Sequence, residues 1–242
     1  MARIFITGSA DGLGHLAAKQ LVFEGHHVVL HARNEKRGQE ALAKVKGAET
    51  VVTADLSVME ETINLAAKVN ELGYFDAIIH NAGVYRSPDD LTFKVNTLSP
   101  YILTSLIRKP ERLIYLSSGL HMGGDVQLTG IKSGRVSYSD SKLHVVLLAK
   151  AIARKWNGVF ANALDPGWVP TKMGGTGAPG NLVKGYETQV WLAVSRDKEA
   201  LVSGRYFYHK KEKNYHPEAD NVNVQNEFIQ LCETACGIKF PE

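Results

Sequence analysis

A tyrosine and a lysine at helical spacing are the residues of this sequence best suited to proton transfer. Tyr138 and Lys142 lie four residues apart in the segment YSDSK, so they share a face if the segment is helical. A phenol with an ordinary pKa of about 10 is a poor acid or base at neutral pH. A neighbouring ammonium group is expected to lower that pKa, making an acid–base couple. Because the pattern is short and common, a surface pair is the alternative unless the chain supplies a cofactor site.

The segment after the tyrosine predicts the element that holds the pair. It is mostly apolar and contains no glycine or proline as far as Trp156. We therefore predict a long, buried helix over about 136–157.

A glycine-rich turn near the start of the chain predicts a site for a dinucleotide. Gly8, Gly12 and Gly14 lie between an apolar run at 2–7 and a helical pattern that extends to Gly25. Glycines let the backbone approach a pyrophosphate, and the N-terminus of the following helix favours an anion. Alone, such a turn could equally be a loop, but at the start of a βαβ unit it indicates a phosphate-binding turn.

The end of the next predicted strand, at 27–31, indicates which dinucleotide binds. A site for NAD usually has Asp or Glu there to hold the ribose hydroxyls, whereas this chain has Ala32 and Arg33. Since a guanidinium suits a 2′-phosphate, the sequence predicts NADP(H), with NAD(H) possible. The alternative is that Arg33 is a solvated loop residue.

Polar and small residues follow the later predicted strands, where ligands of open α/β sheets bind. Asp55 could accept a hydrogen bond from an adenine amino group or cap the helix beginning near Ser57. Gly83 would let the chain pass close to a ligand, while the Asn81 side chain can tie neighbouring strands together.

Two further polar residues are candidates for the site. Asn96 begins a mostly apolar helix that extends to Ile107, where an amide is first interpreted as a structural hydrogen-bond partner. Ser118 is the last residue of a fifth predicted strand at 112–118.

In this order the motifs resemble those of the short-chain dehydrogenase/reductase family, over essentially the whole chain. The turn at 32–34 and the YSDSK segment are nearest in pattern to its retinol-dehydrogenase-like branch. The matching residues are Thr7, Gly8, Gly12, Gly14, Asp55, Asn81, Ala82, Gly83, Asn96, Ser118, Tyr138, Lys142, Pro166, Gly167 and Thr171.

The resemblance implies a role for each catalytic candidate. Tyr138 would give a proton to a carbonyl oxygen, or take one from an alcohol, as hydride passes to or from nicotinamide. Lys142 would lower the pKa of the tyrosine and hold the nicotinamide ribose. Ser118, with Ser117 as the alternative, would polarise the carbonyl, and Asn96 would hold a water that links Lys142 to solvent.

The resemblance also implies a set of cofactor-binding residues, whereas the scattered histidines lack the spacings of a metal site and predict none. The expected cofactor-binding residues are Gly8, Asp11, Gly12, Leu13, Gly14, Arg33, Asp55, Leu56, Asn81, Ala82, Gly83, Tyr138, Lys142, Pro166, Gly167 and Thr171.

The alternation of predicted strands and helices defines the fold class. We predict an α/β protein with a single doubly wound (Rossmann) domain over 1–242, whose parallel sheet of about seven strands carries helices on both faces. The glycine-rich segment at about 171–186 would be a substrate lid or a disordered surface loop.

Composition limits the location and the partners. The net charge of +3 comes from dispersed basic residues, which gives no reason to expect nucleic acid. No apolar segment reaches the ~18 residues of a membrane span, and no signal peptide or N-terminal anchor is expected. Cys232 and Cys236 are expected to be reduced thiols of a cytoplasmic protein. By resemblance, helices at about 97–107 and 136–157 would pack in a homodimer or homotetramer.

The sequence thus predicts an NADP(H)-dependent oxidoreductase that acts on a carbonyl or alcohol substrate. The alternative is a catalytically silent NAD(P)-binding regulatory or sensor protein. His121, Met122, Trp168 and Met173 would border the substrate pocket, but they do not select one compound.

Overall fold

Eight β-strands form one sheet at the centre of the computed structural model, which describes residues 1–241. The strand order is β3-β2-β1-β4-β5-β6-β7-β8, and every pair is parallel except β7 with β8. The strands are β1 (Arg3–Ile6), β2 (His27–Ala32), β3 (Thr50–Thr53), β4 (Ala77–His80), β5 (Arg112–Leu116), β6 (Phe160–Asp165), β7 (Tyr206–Tyr208) and β8 (Lys211–Glu212). The predicted α/β Rossmann fold is confirmed.

Helices cover both faces of the sheet. Within residues 1–241 they are α1 (Gly12–Phe23), α2 (Glu35–Lys44), α3 (Met59–Glu71), α4 (Asp89–Thr92), α5 (Ser99–Leu106), α6 (Thr129–Ser133), α7 (Tyr138–Lys155), α8 (Leu182–Val194) and α9 (Val222–Cys236). Helices α1, α2 and α8 pack on one face and α3, α5, α7 and α9 on the other. Because both faces are covered, β4 and β5 are buried along their whole length.

The sheet places its ligand-binding edge between β1 and β4. The strand order extends from β1 through β2 to β3 on one side, whereas β4 lies on the other side of β1. At such a reversal, the loops beyond the carboxyl ends of the strands leave a crevice between them.

Helix α7 is held rigidly in the core. Eleven of its 18 residues are buried, and Ser137 and Asp140 form a capping box at its start. It spans the predicted helix to within two residues at each end, so Tyr138 and Lys142 stand in its first turns.

The C-terminal segment covers parts of α5 and α7. Helix α9 packs on α7, the Tyr101 hydroxyl donates to the Ile238 carbonyl at 2.9 Å, and the Trp156 indole donates to the Pro241 carbonyl at 3.0 Å. These are the two helices expected to pack against copies of the chain. The homodimer or homotetramer remains a prediction, and copies would have to meet on whatever surface this segment leaves open.

Several elements were not predicted, among them α4, α6, a π-helix and β8. A π-helix at Phe93–Leu98 joins α4 to α5 and carries Asn96, so helical structure begins at Asp89 and not at Asn96. The two residues of β8 are both exposed, so β8 has no apolar alternation that a sequence pattern could show.

Within the described chain, no helix is long and apolar enough to cross a membrane, and no three His, Cys, Asp or Glu side chains come together as a possible metal site.

Candidate active site

A cavity of about 360 Å³ lies at the carboxyl edge of the sheet, between the two halves of the strand order. It brings together most of the predicted cofactor-binding residues: Gly8, Asp11, Gly12, Leu13, Arg33, Asp55, Leu56, Asn81, Ala82, Gly83, Tyr138, Lys142, Pro166 and Thr171. Gly14, Asn96, Ser118 and Gly167 are not among its lining residues. Its size is typical of small-molecule sites.

The glycine-rich turn provides an open cradle at one end of this cavity. Gly8 and Gly12 have φ of +64° and +58°, which residues with a side chain adopt only rarely. A Cβ on Gly12 would have only the Thr171 methyl group near it, at 4.0 Å, so this space is free. Since α1 begins at Gly12, its N-terminus opens into the cavity and fits a diphosphate.

Gly14 has a packing role behind the turn. A Cβ there would lie 2.3 Å from Nδ2 of Asn81 and 2.8 Å from the Gly8 carbonyl oxygen. That Nδ2 donates to the carbonyls of Thr7 at 3.0 Å and Gly8 at 3.1 Å. The amide therefore ties the turn to the end of β4, and only glycine leaves room for it.

Positive charge predominates around the turn. Arg33, Arg37 and Lys172 line this end of the cavity together with the carboxylates of Asp11 and Asp55. Lys172 forms an ion pair and hydrogen bond with Asp11, which is the main reason that the pKa of Asp11 lies below its ordinary value. Nη2 of Arg37 lies 3.8 Å from the same carboxylate. These partners neutralise Asp11 at a place where its charge would repel a phosphate.

Asp55 closes a local turn with Ser57 and also faces the cavity. Its Oδ1 accepts from the backbone N–H of Ser57 at 2.9 Å and from the Ser57 hydroxyl at 2.7 Å. Burial raises the pKa of Asp55, but these bonds and the charge of Arg33 outweigh burial and lower it. The expected capping role is wrong, because α3 begins at Met59 after Val58 and has no side-chain cap. Asp55 does line the cavity, and its contact with an adenine amino group remains a prediction.

Tyr138 and Lys142 stand at the other end of the cavity. Nζ of Lys142 lies 5.3 Å from the centre of the Tyr138 ring and donates to the Leu116 carbonyl at 2.8 Å. The Ser118 side chain is hydrogen-bonded to Tyr138, whereas the Ser117 hydroxyl donates to the backbone carbonyl of Lys142 at 2.8 Å. Ser118 is therefore the serine that interacts with the tyrosine, whereas Ser117 is the serine that lines the cavity. The role of Ser118 in polarising a carbonyl remains a prediction.

Burial changes the pKa of both proton-carrying groups. It raises the pKa of Tyr138 to about 12, against the opposing effect of the Ser118 hydrogen bond, and it lowers the pKa of Lys142 to about 8. The expected lowering of the tyrosine pKa by the lysine is not found in this structure. The ammonium group is bonded to a backbone carbonyl, and loss of water around the phenol is the stronger effect.

Comparisons with known proteins agree with this geometry. A sequence model of the short chain dehydrogenase family matches residues 2–107. An uncharacterized oxidoreductase of Emericella nidulans is 45% identical over 254 residues, covering 100% of this chain and 99% of that protein. The chain belongs to the short-chain dehydrogenase family.

A human member and a solved structure extend the comparison. Retinol dehydrogenase 13 of Homo sapiens is 30% identical, covering 98% of this chain and 85% of that protein, which confirms the resemblance to the retinol-dehydrogenase-like branch. A crystal structure of an uncharacterized protein from Mycobacterium paratuberculosis has the same fold, with a TM-score of 0.82 at 22% identity over 100% of this chain and 96% of that one. This short-chain dehydrogenase is thus an enzyme of a family that binds NAD or NADP.

Asn96 of this short-chain dehydrogenase is buried beside the lysine. Its Oδ1 accepts from the backbone N–H of Val84 at 2.8 Å, and its Nδ2 donates to the Val84 carbonyl at 2.9 Å and to the Ser141 hydroxyl at 3.1 Å. A Cβ on Gly83 would lie 3.3 Å from Oδ1 of Asn96 and 3.5 Å from Nζ of Lys142. The structural interpretation fits these bonds, and the water relay remains a prediction.

The segment after β6 follows the cavity wall. The backbone N–H of Gly167 donates to Asp165 at 2.9 Å. Farther along, the Trp168 indole donates to the Gly174 carbonyl at 2.8 Å and the Gly180 N–H to the Trp168 carbonyl at 3.0 Å. Helix α8 begins at Leu182, inside the predicted loop of 171–186. The segment is therefore folded on itself, and its action as a lid remains a prediction.

His121 does not border the cavity. It is buried, its Nδ1 lies 2.7 Å from the Ser118 carbonyl oxygen, and its Nε2 accepts from the His216 N–H at 3.2 Å. Of the residues expected to form an apolar border, Met173 lines the cavity. Met122 and Trp168 are exposed and do not line it.

Sequence reasoning missed His31, which supports the turn. Its Nδ1 accepts from the Gly8 N–H at 3.0 Å, and its Nε2 lies 3.1 Å from the Ala54 carbonyl oxygen. Burial lowers the pKa of His31 to about 4, so the ring is neutral and carries its proton on Nε2. No sequence pattern marks this bridge, because its two partners, Gly8 and Ala54, follow two other strands.

Proposed function

We propose that this short-chain dehydrogenase uses NADP(H) to interconvert a carbonyl compound and its alcohol. The proposal rests on one observation: a single cavity is lined by the open glycine-rich turn at one end and by Tyr138 and Lys142 at the other. Ser118 adjoins Tyr138. A bound nicotinamide cofactor would supply or accept the hydride. The chain supplies position and the proton.

The proposed roles follow from the contacts of each group. The Ser118 hydroxyl would donate a hydrogen bond to the substrate oxygen, and Tyr138 would give that oxygen its proton in reduction or take it in oxidation. Lys142, held by the Leu116 carbonyl, would place a positive charge beside the phenol whenever it is protonated. Such a charge favours phenolate and opposes the effect of burial.

The preference for NADP(H) over NAD(H) rests on the cations at the phosphate end. Arg33 follows β2, where NAD-binding chains usually carry an acidic residue, and Arg37 lies on the first turn of α2. Both line the cavity, and two guanidinium groups suit a 2′-phosphate better than two ribose hydroxyls.

The cofactor preference gives a first prediction. Arg33→Ala should weaken binding of NADPH at least tenfold and leave binding of NADH nearly unchanged, because a charged hydrogen bond is worth about 1.5–3 kcal/mol. The measurement is a fluorescence titration of each cofactor, with Arg135→Ala as the control on an exposed arginine outside the cavity. Equal losses for the two cofactors would count against a 2′-phosphate contact.

Turnover separates an enzyme from the silent sensor. We expect steady loss of NADPH absorbance with at least one ketone or aldehyde of a chemically varied panel. Tight NADPH binding without turnover of any panel member would favour the sensor.

We also propose a cytoplasmic location, as expected from the sequence. The free thiols of Cys232 and Cys236 support it, because disulfides are rare in the cytosol.

A further inference from the structure

An ion pair stands beside the proposed catalytic groups. Asp165 ends β6 with a side chain that is 9% exposed, and its Oδ2 lies 3.3 Å from Nζ of Lys213. Lys213 directly follows β8, and its Nζ also lies 4.6 Å from the centre of the Tyr208 ring. The short antiparallel strand thus brings a cation back to the carboxyl end of β6.

Both charges of this pair lie against the backbone that follows Ser118. A Cβ on Gly119 would be 3.1 Å from Oδ2 of Asp165 and 3.9 Å from Nζ of Lys213. Ser118 is in turn hydrogen-bonded to Tyr138. The carboxylate lies against the residue after Ser118, and after burial and Tyr85 its charge is a further cause that raises the pKa of Tyr138.

The surroundings of Tyr138 hold few other charges. The titratable groups that face it from the packed elements are Lys142 of α7, Tyr85 after β4, Asp165 of β6 and Tyr206 of β7, and His121 packs against Tyr206. Burial lowers the pKa of His121, so it is neutral near pH 7. Among the described residues, Lys213 is the only cation in an ion pair with Asp165.

We propose that Lys213 is a positioning residue for the proposed reaction: by neutralising Asp165 beside Ser118, it prevents that carboxylate from strengthening the hold of Tyr138 on its proton. The inference rests on the proposed function, because the pair affects turnover only if Tyr138 transfers the proton. An unpaired carboxylate in this buried place would disfavour the phenolate. The tyrosine would then hold its proton to higher pH, and alcohol oxidation, which needs the deprotonated form, would slow.

The test is a titration of the Tyr138 phenolate in the complex with NADP⁺. Phenolate absorbance is followed against pH in each protein and in the same protein carrying Tyr138→Phe, so that the difference reports this tyrosine alone. The proteins are wild type, Lys213→Met, Lys213→Arg, Asp165→Asn and the double variant Lys213→Met/Asp165→Asn. Lys132→Met is the matched control, because it breaks the 2.9 Å ion pair with Glu227 on α9, which the cavity does not include.

The expected midpoint for Lys213→Met is about 0.5–1 pH unit above that of wild type, the scale of one uncompensated nearby charge. Lys213→Arg and Lys132→Met should keep the wild-type midpoint, and the double variant should lose the upward shift. An unchanged midpoint in Lys213→Met, or a shift that persists in the double variant, overturns the inference, because the pair would then serve only to tether β8.

The pH profile of turnover separates this inference from the proposed function. With the alcohol that wild type oxidises fastest, the rising limb of kcat/KM should shift in Lys213→Met by the same amount as the phenolate midpoint. The phenolate midpoints could shift as expected while Tyr138→Phe keeps full turnover. This result would overturn both the role of the ion pair in turnover and the proposed function.

Discussion

At the residue scale, burial controls the charge of the proposed catalytic lysine. Lys142 is 6% exposed, and its pKa is lowered to about 8 from an ordinary value of 10.5. The unfolded chain therefore binds more protons than the folded one between these values. By linkage, the free energy of unfolding rises with pH through this window, and the cost of the buried charge is fully present below about pH 8.

This cost predicts the effect of removing the charge. Lys142→Met should be more stable than wild type at pH 7, by at most about 3 kcal/mol, and the difference should disappear as the pH approaches 10.5. The measurement is urea unfolding at several pH values. Lys46→Met, at an exposed position after α2, should show no such convergence. A constant difference between Lys142→Met and wild type at all pH values would contradict the burial argument.

The chemistry of single residues was predictable where it depends on local spacing. Tyr138 and Lys142 are one helical turn apart on α7, so their joint position follows from the sequence. Arg37, His31 and Lys213 were missed because their roles depend on contacts across the fold, for example from Lys213 to Asp165 over 48 positions of the chain. The direction of the tyrosine pKa was also missed, because desolvation depends on burial that spacing does not reveal.

At the element scale, the β1–α1 turn and the end of β4 form one unit. Asn81 holds the carbonyls of Thr7 and Gly8, and Gly14 leaves the space that its amide occupies. The cradle for a diphosphate therefore depends on an element distant in the sequence, and a change at Gly14 should act on both stability and binding.

Gly14→Ala should lower the free energy of unfolding by about 1–3 kcal/mol, because overpacking outweighs the gain from alanine in a helix. It should also weaken NADPH binding, since the turn must shift. Urea unfolding and cofactor titration measure the two effects. Gly123→Ala is the control, because its Cβ would meet nothing within 4 Å. If both variants behaved like wild type, the turn would not depend on this packing.

Most elements were predictable because apolar periodicity and glycines set their bounds. Strands β2 and β5 and helix α7 lie within two residues of their predicted ranges. The π-helix was not predictable, since a π and an α pattern differ by a fraction of a residue per turn. The eighth strand was not predictable either, because its pairing with β7 comes from tertiary structure alone.

At the scale of the whole molecule, three buried histidines link stability to pH. Burial lowers the pKa of His31 and His144 to about 4 and of His80 to about 3. Between these values and 6.5 the unfolded chain binds protons that the folded one does not. Stability is therefore fully present above about pH 6.5 and is lost as the pH falls towards 4.

We predict that the free energy of unfolding decreases between pH 6.5 and 4, and that His80→Asn reduces this decrease, because an amide does not titrate. Unfolding by urea at half-unit pH steps measures this. His27→Asn, at an exposed position, should leave the decrease unchanged. An equal decrease in wild type and His80→Asn would show that burial of this histidine does not contribute.

The most direct test of the central claim is turnover by Tyr138→Phe. With the best carbonyl substrate of the panel and saturating NADPH, the account predicts at least a hundredfold loss of kcat with NADPH affinity within threefold of wild type, because only the proton donor is removed. Tyr74→Phe, an exposed tyrosine outside the cavity, should keep wild-type kcat. Wild-type turnover by Tyr138→Phe would contradict the account.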